Sequence, residues 1–334
     1  MYLISLAIIF NILSTPSLIA RLNSDEVREV TLRGIVSGEL KVSEEDKRRP
    51  LVKTLGFIIQ SRQIERQERI YAIRSLGVLH DGTDILAKIL SEEDRTVETI
   101  ALSREAARAL SAFAPPKFVS KWYRHPDPVV RSIFLRMGAD SQLHCEQLKT
   151  EPWSFVRQAI VEGMTTSEKS IVCVLKALDD PHNKVRRAAI DALGELASTM
   201  SPVLRAQSQK RLRLMVKDSD KEKLIRIQSM VALGRLQDCT AAHAALKIYL
   251  DSGALAFLVN ASFGALQQCG ELSPYYEFLI RDQNPHLVQL SFRHWLKQDP
   301  KDACQHISDV PTAVKHAQNR EFLTWKRECL NILK

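Results

Sequence analysis

Apolar positions recur along this chain at helical spacing, in blocks that resemble one another. The clearest blocks are 69–77 (RIYAIRSLG), 186–194 (RRAAIDALG) and 226–234 (RIQSMVALG). Within the second block Ala189, Ile190 and Leu193, with Leu196 beyond it, fall on one helical face. With the last Leu of the block as frame, equivalent positions are Leu76, Leu110, Met137, Glu162, Leu193, Leu233, Leu266 and Trp295, at a mean spacing of about 31 residues. The copy at Glu162 fits only with a one-residue shift. Self-similarity at this period predicts stacked helical units, each too small to bury its apolar face alone. No strand pattern competes with the helical one.

A turn precedes several of these blocks. It reads Asp127-Pro128 before Arg131, Glu151-Pro152 before Arg157, Asp180-Pro181 before Arg186, and Asn284-Pro285 before Gln289. Asp or Asn can cap a helix start, and Pro tolerates the first helical position. An apolar stretch such as 171–178 supplies a first helix ahead of the turn. Gly77, Gly138, Gly163, Gly194 and Gly234 recur after the frame position. A helical Gly costs up to about 1 kcal/mol against Ala, so its return predicts a close helix crossing.

The acidic-Pro turn followed by Val-Arg, together with the Arg-x-Ala-Ala-x-x-Ala-Leu-Gly helix, resembles the HEAT-repeat family. The nearest likeness is the short bacterial type known as phycobilisome-lyase-like HEAT repeats. The resemblance spans residues 61–300. It implies an all-α fold, a right-handed α-solenoid of about eight HEAT-like helix-turn-helix repeats with capping helices. Leu193, Gly194, Leu233 and Gly234 are then repeat positions. So are Arg131, Arg157 and Arg186, each expected to brace the neighbouring turn acid. Residues 21–60 and 301–334 break the frame and are expected to cap the ends, since a terminal repeat faces water on one side. As to function, the fold alone decides little, because such repeats serve scaffolds, adaptors, lyases and a few enzymes.

Residues 1–20 carry no charged side chain. They read as a secretory signal, a retained membrane anchor, or a first buried helix. The first two place the protein outside the cytoplasm or on a membrane, the third leaves it cytoplasmic. Cys145, Cys173, Cys239, Cys269, Cys304 and Cys329 show no CxxC and no metal spacing. They are expected to be buried thiols acting as small hydrophobes, although the even count permits disulfides in an exported chain.

The formal charge is +8, and it is uneven. Between Lys184 and Arg226 eleven cations face five anions. Lys184, Arg187, Lys210, Arg211, Arg213 and Lys217 are therefore candidates for holding an anionic partner. The competing reading is a solvated face with ordinary pairs, such as Arg187 with Asp191. Trp122, Tyr123 and Trp153 are the aromatics that could stack on bases. They are expected instead to fill gaps between helices.

The chain has no HExxH, no His-Glu pair, no Gly-rich phosphate loop and no GxSxG. The missing His-Glu pairs count against the HEAT-like di-iron hydroxylases. The catalytic Asp of the HEAT-like DNA glycosylases finds no place. No catalytic residue, metal or cofactor is expected. The favoured reading is a non-enzymatic scaffold that binds a partner protein along the solenoid surface. Nucleic-acid binding through 184–226 is the alternative, and a HEAT-like lyase or other enzyme the third. Membrane contact would run only through residues 1–20.

Overall fold

The computed structural model describes residues 11–13, 15–42, 48–92, 94–138, 141–164, 167–282, 284–311 and 319–333. The chain divides into two compact units, 1–165 and 166–334. The first holds β1 (Asn11–Leu13), α1 (Thr15–Leu22), α2 (Arg28–Ser37), β2 (Leu40–Val42), α3 (Arg48–Gln60), α4 (Arg66–Leu79), α5 (Thr83–Leu90), α6 (Val97–Ser111), α7 (Pro116–Val119), α8 (Pro128–Arg136), α9 (Ser141–Thr150) and α10 (Ser154–Glu162). The second holds α11 (Glu168–Ala177), α12 (Asn183–Glu195), α13 (Pro202–Lys217), α14 (Lys223–Arg235), α15 (Thr240–Ser252), α16 (Val259–Cys269), α17 (Tyr276–Leu279), α18 (Pro285–Gln298), α19 (Pro300–Gln305) and α20 (Asn319–Ile332).

Each unit is a helical stack of the solenoid kind. The eight frame positions fall one to a helix on α4, α6, α10, α12, α14, α16 and α18, and at the C-cap of α8. These motif helices lie side by side: α2, α4, α6, α8 and α10 in the first unit, α12, α14 and α16 in the second. Each row is backed by the helices between them, α3 on α4, α5 on α6, α9 on α10, α11 on α12, α13 on α14 and α15 on α16. Leu76, Leu110, Leu193, Leu233 and Leu266 are fully buried between the layers. Burying a Leu side chain contributes about 1.5–3 kcal/mol, so these rows carry much of the stability. At α8 and α10 the frame slips. Phe134, Leu135, Ile160 and Val161 take the buried positions, while Glu162 faces solvent.

One expectation is corrected at the N-terminal end. Asn11–Leu13 and Leu40–Val42 form a parallel pair, with Asn11 opposite Leu40 and Leu13 opposite Val42. Three residues are too few to show alternation in a sequence. Of segment 1–20, residues 1–10 and 14 lie outside the described residues. Thr15–Leu22 form a helix packed on α2 and α3, with Leu18 and Leu22 fully buried. Among the described residues, no helix is long and apolar enough to cross a membrane.

The recurring glycines mark close crossings between successive motif helices. A methyl group on Gly77 would sit 3.1 Å from Ala109 Cα, and one on Gly234 would sit 2.6 Å from Ala265 Cα. A methyl on Gly138 or Gly163 would collide with the other repeat's backbone carbonyl. A methyl on Gly194 meets Arg235 Cδ at 3.1 Å. Any side chain at the tightest of these crossings would push two helices apart.

The thiol reading is overturned. Cys239 bonds to Cys269 across α15 and α16, and Cys304 to Cys329 across α19 and α20. No free cysteine remains among the described residues. The pairs are 30 and 25 residues apart, about one repeat, so stacking brings them together where linear spacing shows no motif.

Candidate functional site

The motif arginines come first, because they order the turns. Arg131 Nη1 donates to the carbonyls of His125 and Pro126 at 2.8 and 3.1 Å. Arg157 Nη1 does the same to Glu151 and Pro152 at 3.1 and 2.9 Å, and Arg186 Nη1 to Asp180 and Pro181 at 2.9 and 3.0 Å. In all three the acceptors are the carbonyls five and six residues back. The preceding turn exposes those carbonyls because no helix has yet begun to use them. Arg131 also grips Glu151 of the next repeat with two bonds, 3.0 and 2.9 Å. Arg131 thus ties its own turn to the acid of the next, and Arg157 and Arg186 close their own turns in the same way.

Sequence reading missed three further members of the series. Arg28 reaches Glu68, Arg69 reaches Glu98 and Arg104 reaches Asp127. Each acid stands in or just before the first turn of the next motif helix, where a carboxylate also suits the helix dipole. The turns follow expectation at two repeats and depart from it at two. Pro128 and Pro285 occupy the first helical turn, and Asp127 and Asn284 cap it. Pro152 and Pro181 fall ahead of their helices, whose caps are Trp153 and His182.

A second set of polar side chains lines the exposed face of the motif helices in the first unit. Arg33 Nε donates to the Tyr71 hydroxyl at 3.3 Å, and the Arg74 guanidinium lies 5.8 Å from the Tyr71 ring. Arg74 binds Glu105 through two bonds of 3.0 and 3.2 Å, and Arg108 binds the same carboxylate at 2.6 Å. Arg136 and Gln158 meet on Glu162 at 2.6 and 2.7 Å. Burial pushes the Glu105 carboxyl upward, but the two guanidiniums outweigh it and hold it below the ordinary range. Hydrogen bonds from Gln67 and then Arg33 hold the Tyr71 phenol below its ordinary value.

The six candidate cations lie in the second unit, on α12 and α13, and do not converge. Arg211 pairs with Asp179 at 2.5 Å, and Arg213 Nε lies 2.9 Å from Asp238 Oδ2. Arg187 Nε donates to Gln228, whose amide in turn donates to Asp191, so Gln228 mediates the pairing expected within one helix. Lys184, Lys210 and Lys217 are exposed. On α13 the exposed face runs Val203, Lys210, Leu214 and Lys217. The aromatics divide. Trp122 and Tyr123 are buried, Trp122 stacking on Phe134 at 5.5 Å, as gap fillers should. Trp153 is 53% exposed beside Phe155, contrary to expectation. It sits in the turn ahead of α10, where no helix covers it.

His144 is buried, with Nε2 2.8 Å from the Leu135 carbonyl, a structural role. Several clefts open among the described residues. One, about 550 Å³, sets Arg62, Arg69 and Lys88 against Glu92, Asp94 and Glu98. A cleft of about 360 Å³ lies by α18 and α19. No group of three or more His, Cys, Asp or Glu placed to hold a metal occurs among the described residues.

The HEAT repeat family model matches residues 171–200, which span α11, its turn and α12. An engineered protein solved as a structural-genomics target is 16% identical, with 96% of this chain and 98% of that chain covered and a TM-score of 0.43. No curated protein matches.

Proposed function

We propose that this chain, which carries a HEAT repeat at residues 171–200, is a non-enzymatic scaffold that binds a partner protein on the exposed face of its motif helices. The observation that carries the reading is the paired polar series of the first unit, from Arg33 and Tyr71 through Arg74, Glu105 and Arg108. Long side chains already held by neighbours lose less rotamer freedom when a partner docks, so a surface of this kind favours association. Val78, half exposed at the end of α4, adds an apolar point to it.

The disulfides favour an oxidising compartment, since such bonds persist outside the reducing cytosol. We therefore read the protein as exported. Thiol blocking of the native protein before any reduction should leave Cys239, Cys269, Cys304 and Cys329 unlabelled.

The experiment is quantitative capture of the full chain from its own cells, against Val78→Asp combined with Arg136→Ala. A single stoichiometric protein, lost in the variant while its melting temperature holds, supports the scaffold. Recovery of no stoichiometric protein would reject it. The exposed Lys210 and Lys217 favour a second reading, an anionic partner on α13. Salt-sensitive binding of generic duplex DNA, abolished by Lys210→Glu with Lys217→Glu, would promote that reading.

A further inference from the structure

The cleft beside α18 and α19 differs in charge from three others in the described residues. In each of those, cations and anions both line the walls. Here the only charged lining residues are Asp299 and Asp302, and no Lys or Arg joins them. This stands out in a chain whose formal charge is +8.

The walls are built and rigid. Tyr276 stacks on Trp295 at 5.1 Å and 14°, and Trp295 stacks on His306 at 5.1 Å and 24°. Tyr276 and Trp295 are nearly buried, so they form the cleft's wall without filling it. Trp295 Nε1 donates to Asp302 Oδ2 at 3.1 Å, which fixes that carboxylate against the rings. Asp299 accepts the Asp302 amide at 3.1 Å, which holds both acids within one turn. The Tyr276 hydroxyl meets His294 Nδ1 at 2.6 Å. With Tyr donating, the imidazole keeps its proton on Nε2 and stays neutral. Burial first, then Lys297, pushes the His294 pKa down, so the ring adds no positive charge near neutral pH.

The chemistry that fits is a cation with planar or multiple donors. Two carboxylates supply the charge, and Gln298 supplies a further acceptor. Asp299 is exposed and Asp302 partly buried, so both carboxylates can be reached from outside. A phosphate or carboxylate would be repelled. A volume of about 360 Å³ is at the small end of ligand sites, enough for one long side chain.

We propose that this cleft receives a basic side chain, arginine or lysine, presented by the partner protein. The proposal rests on the scaffold reading above and gives that partner a chemistry. The same ammonium or guanidinium chemistry could come from a small free amine, and the test separates the two sources.

The probe is N-acetyl-arginine amide, titrated into the full chain and followed through the Trp295 indole N–H signal. The expected result is a saturable shift, weakened at least tenfold in Asp299→Asn with Asp302→Asn. Asn caps a helix as well as Asp does, so the fold should hold, and an unchanged melting temperature checks it. N-acetyl-aspartate amide on the unaltered protein should give no shift, which keeps the test decisive if the variant misfolds. Absence of a shift with the arginine probe, or equal binding of the aspartate probe, overturns the proposal. The double variant should also weaken the partner complex at least tenfold. If the variant loses the probe yet keeps the complex, a free amine is the ligand and the proposal fails, while the scaffold reading stands.

Discussion

Arg131 shows how much one side chain can organise. Its guanidinium closes two turn carbonyls of its own repeat and grips Glu151 of the next, with the two side chains only 14% and 8% exposed. Removing one partner of a buried pair strands the other, at a cost of about 3–5 kcal/mol. Arg131→Ala should therefore destabilise the first unit by about 3 kcal/mol in a denaturant melt, and a loss well under 1 kcal/mol would contradict the bracing role. Glu105 gives a pH dependence. Its folded pKa lies below the ordinary value because Arg74 and Arg108 overcome the effect of burial. A depressed carboxylate contributes stability that is present above the unfolded pKa and lost as pH falls through the folded one. Glu105→Gln should thus flatten the acid-side loss of stability of the unaltered protein, and identical acid limbs would contradict it. Tyr249 works at the other end of the scale. Burial first and then Asp282 push its phenol up to about 12, so the stability it lends is full below its unfolded pKa and is lost as pH rises from there through the folded value.

Between helices the deciding contacts are the glycine crossings. Gly234→Ala places a methyl 2.6 Å from Ala265 Cα, which backbone cannot yield cheaply. Overpacking of this kind costs about 1–3 kcal/mol, more than the roughly 1 kcal/mol Ala gains over Gly in a helix. Gly264, on α16, has nothing within 4 Å of the same methyl. Gly234→Ala should lower the melting temperature and Gly264→Ala should raise it, and the same sign for both would contradict the crossing. This level was largely legible in the sequence. Apolar periodicity gave the motif helices, and the returning Gly gave the crossings, because both are local patterns repeated many times. What stayed hidden depends on what stacking brings together. Arg104 meets Asp127, and Cys239 meets Cys269, only once one repeat lies on the next. Arg211 and Arg213 looked like one basic patch, yet neighbours on two residues of a helix point apart and pair with Asp179 and Asp238. Asp299 and Asp302 gave no motif, and the rings of Tyr276 and Trp295 join them in one cleft only once the helices pack.

At the scale of the whole chain, stability is a sum over neighbours. Within the second unit α12, α14 and α16 form one packed row, so damage at one repeat should spread to the next. Leu193 is fully buried in that row, and Leu193→Asp would set an unpaired charge there. Hydrogen exchange should then accelerate across α12, α14 and α16 together, and protection retained in α14 and α16 would contradict nearest-neighbour coupling. Reduction of Cys304–Cys329 should loosen α20 from α19, at a cost of about 2–4 kcal/mol to the second unit.

The most direct test of the binding role is a photo-crosslinking scan in the native cells, one position at a time. Val78 and Arg108 probe the motif-helix face of the first unit, and Val172 and Val203 probe α11 and α13, which back the motif helices of the second unit. A partner protein engaged as proposed is captured at Val78 and Arg108 and at neither of the other two. Capture at Val172 or Val203 alone, or equally at all four, would contradict a partner bound along the motif helices.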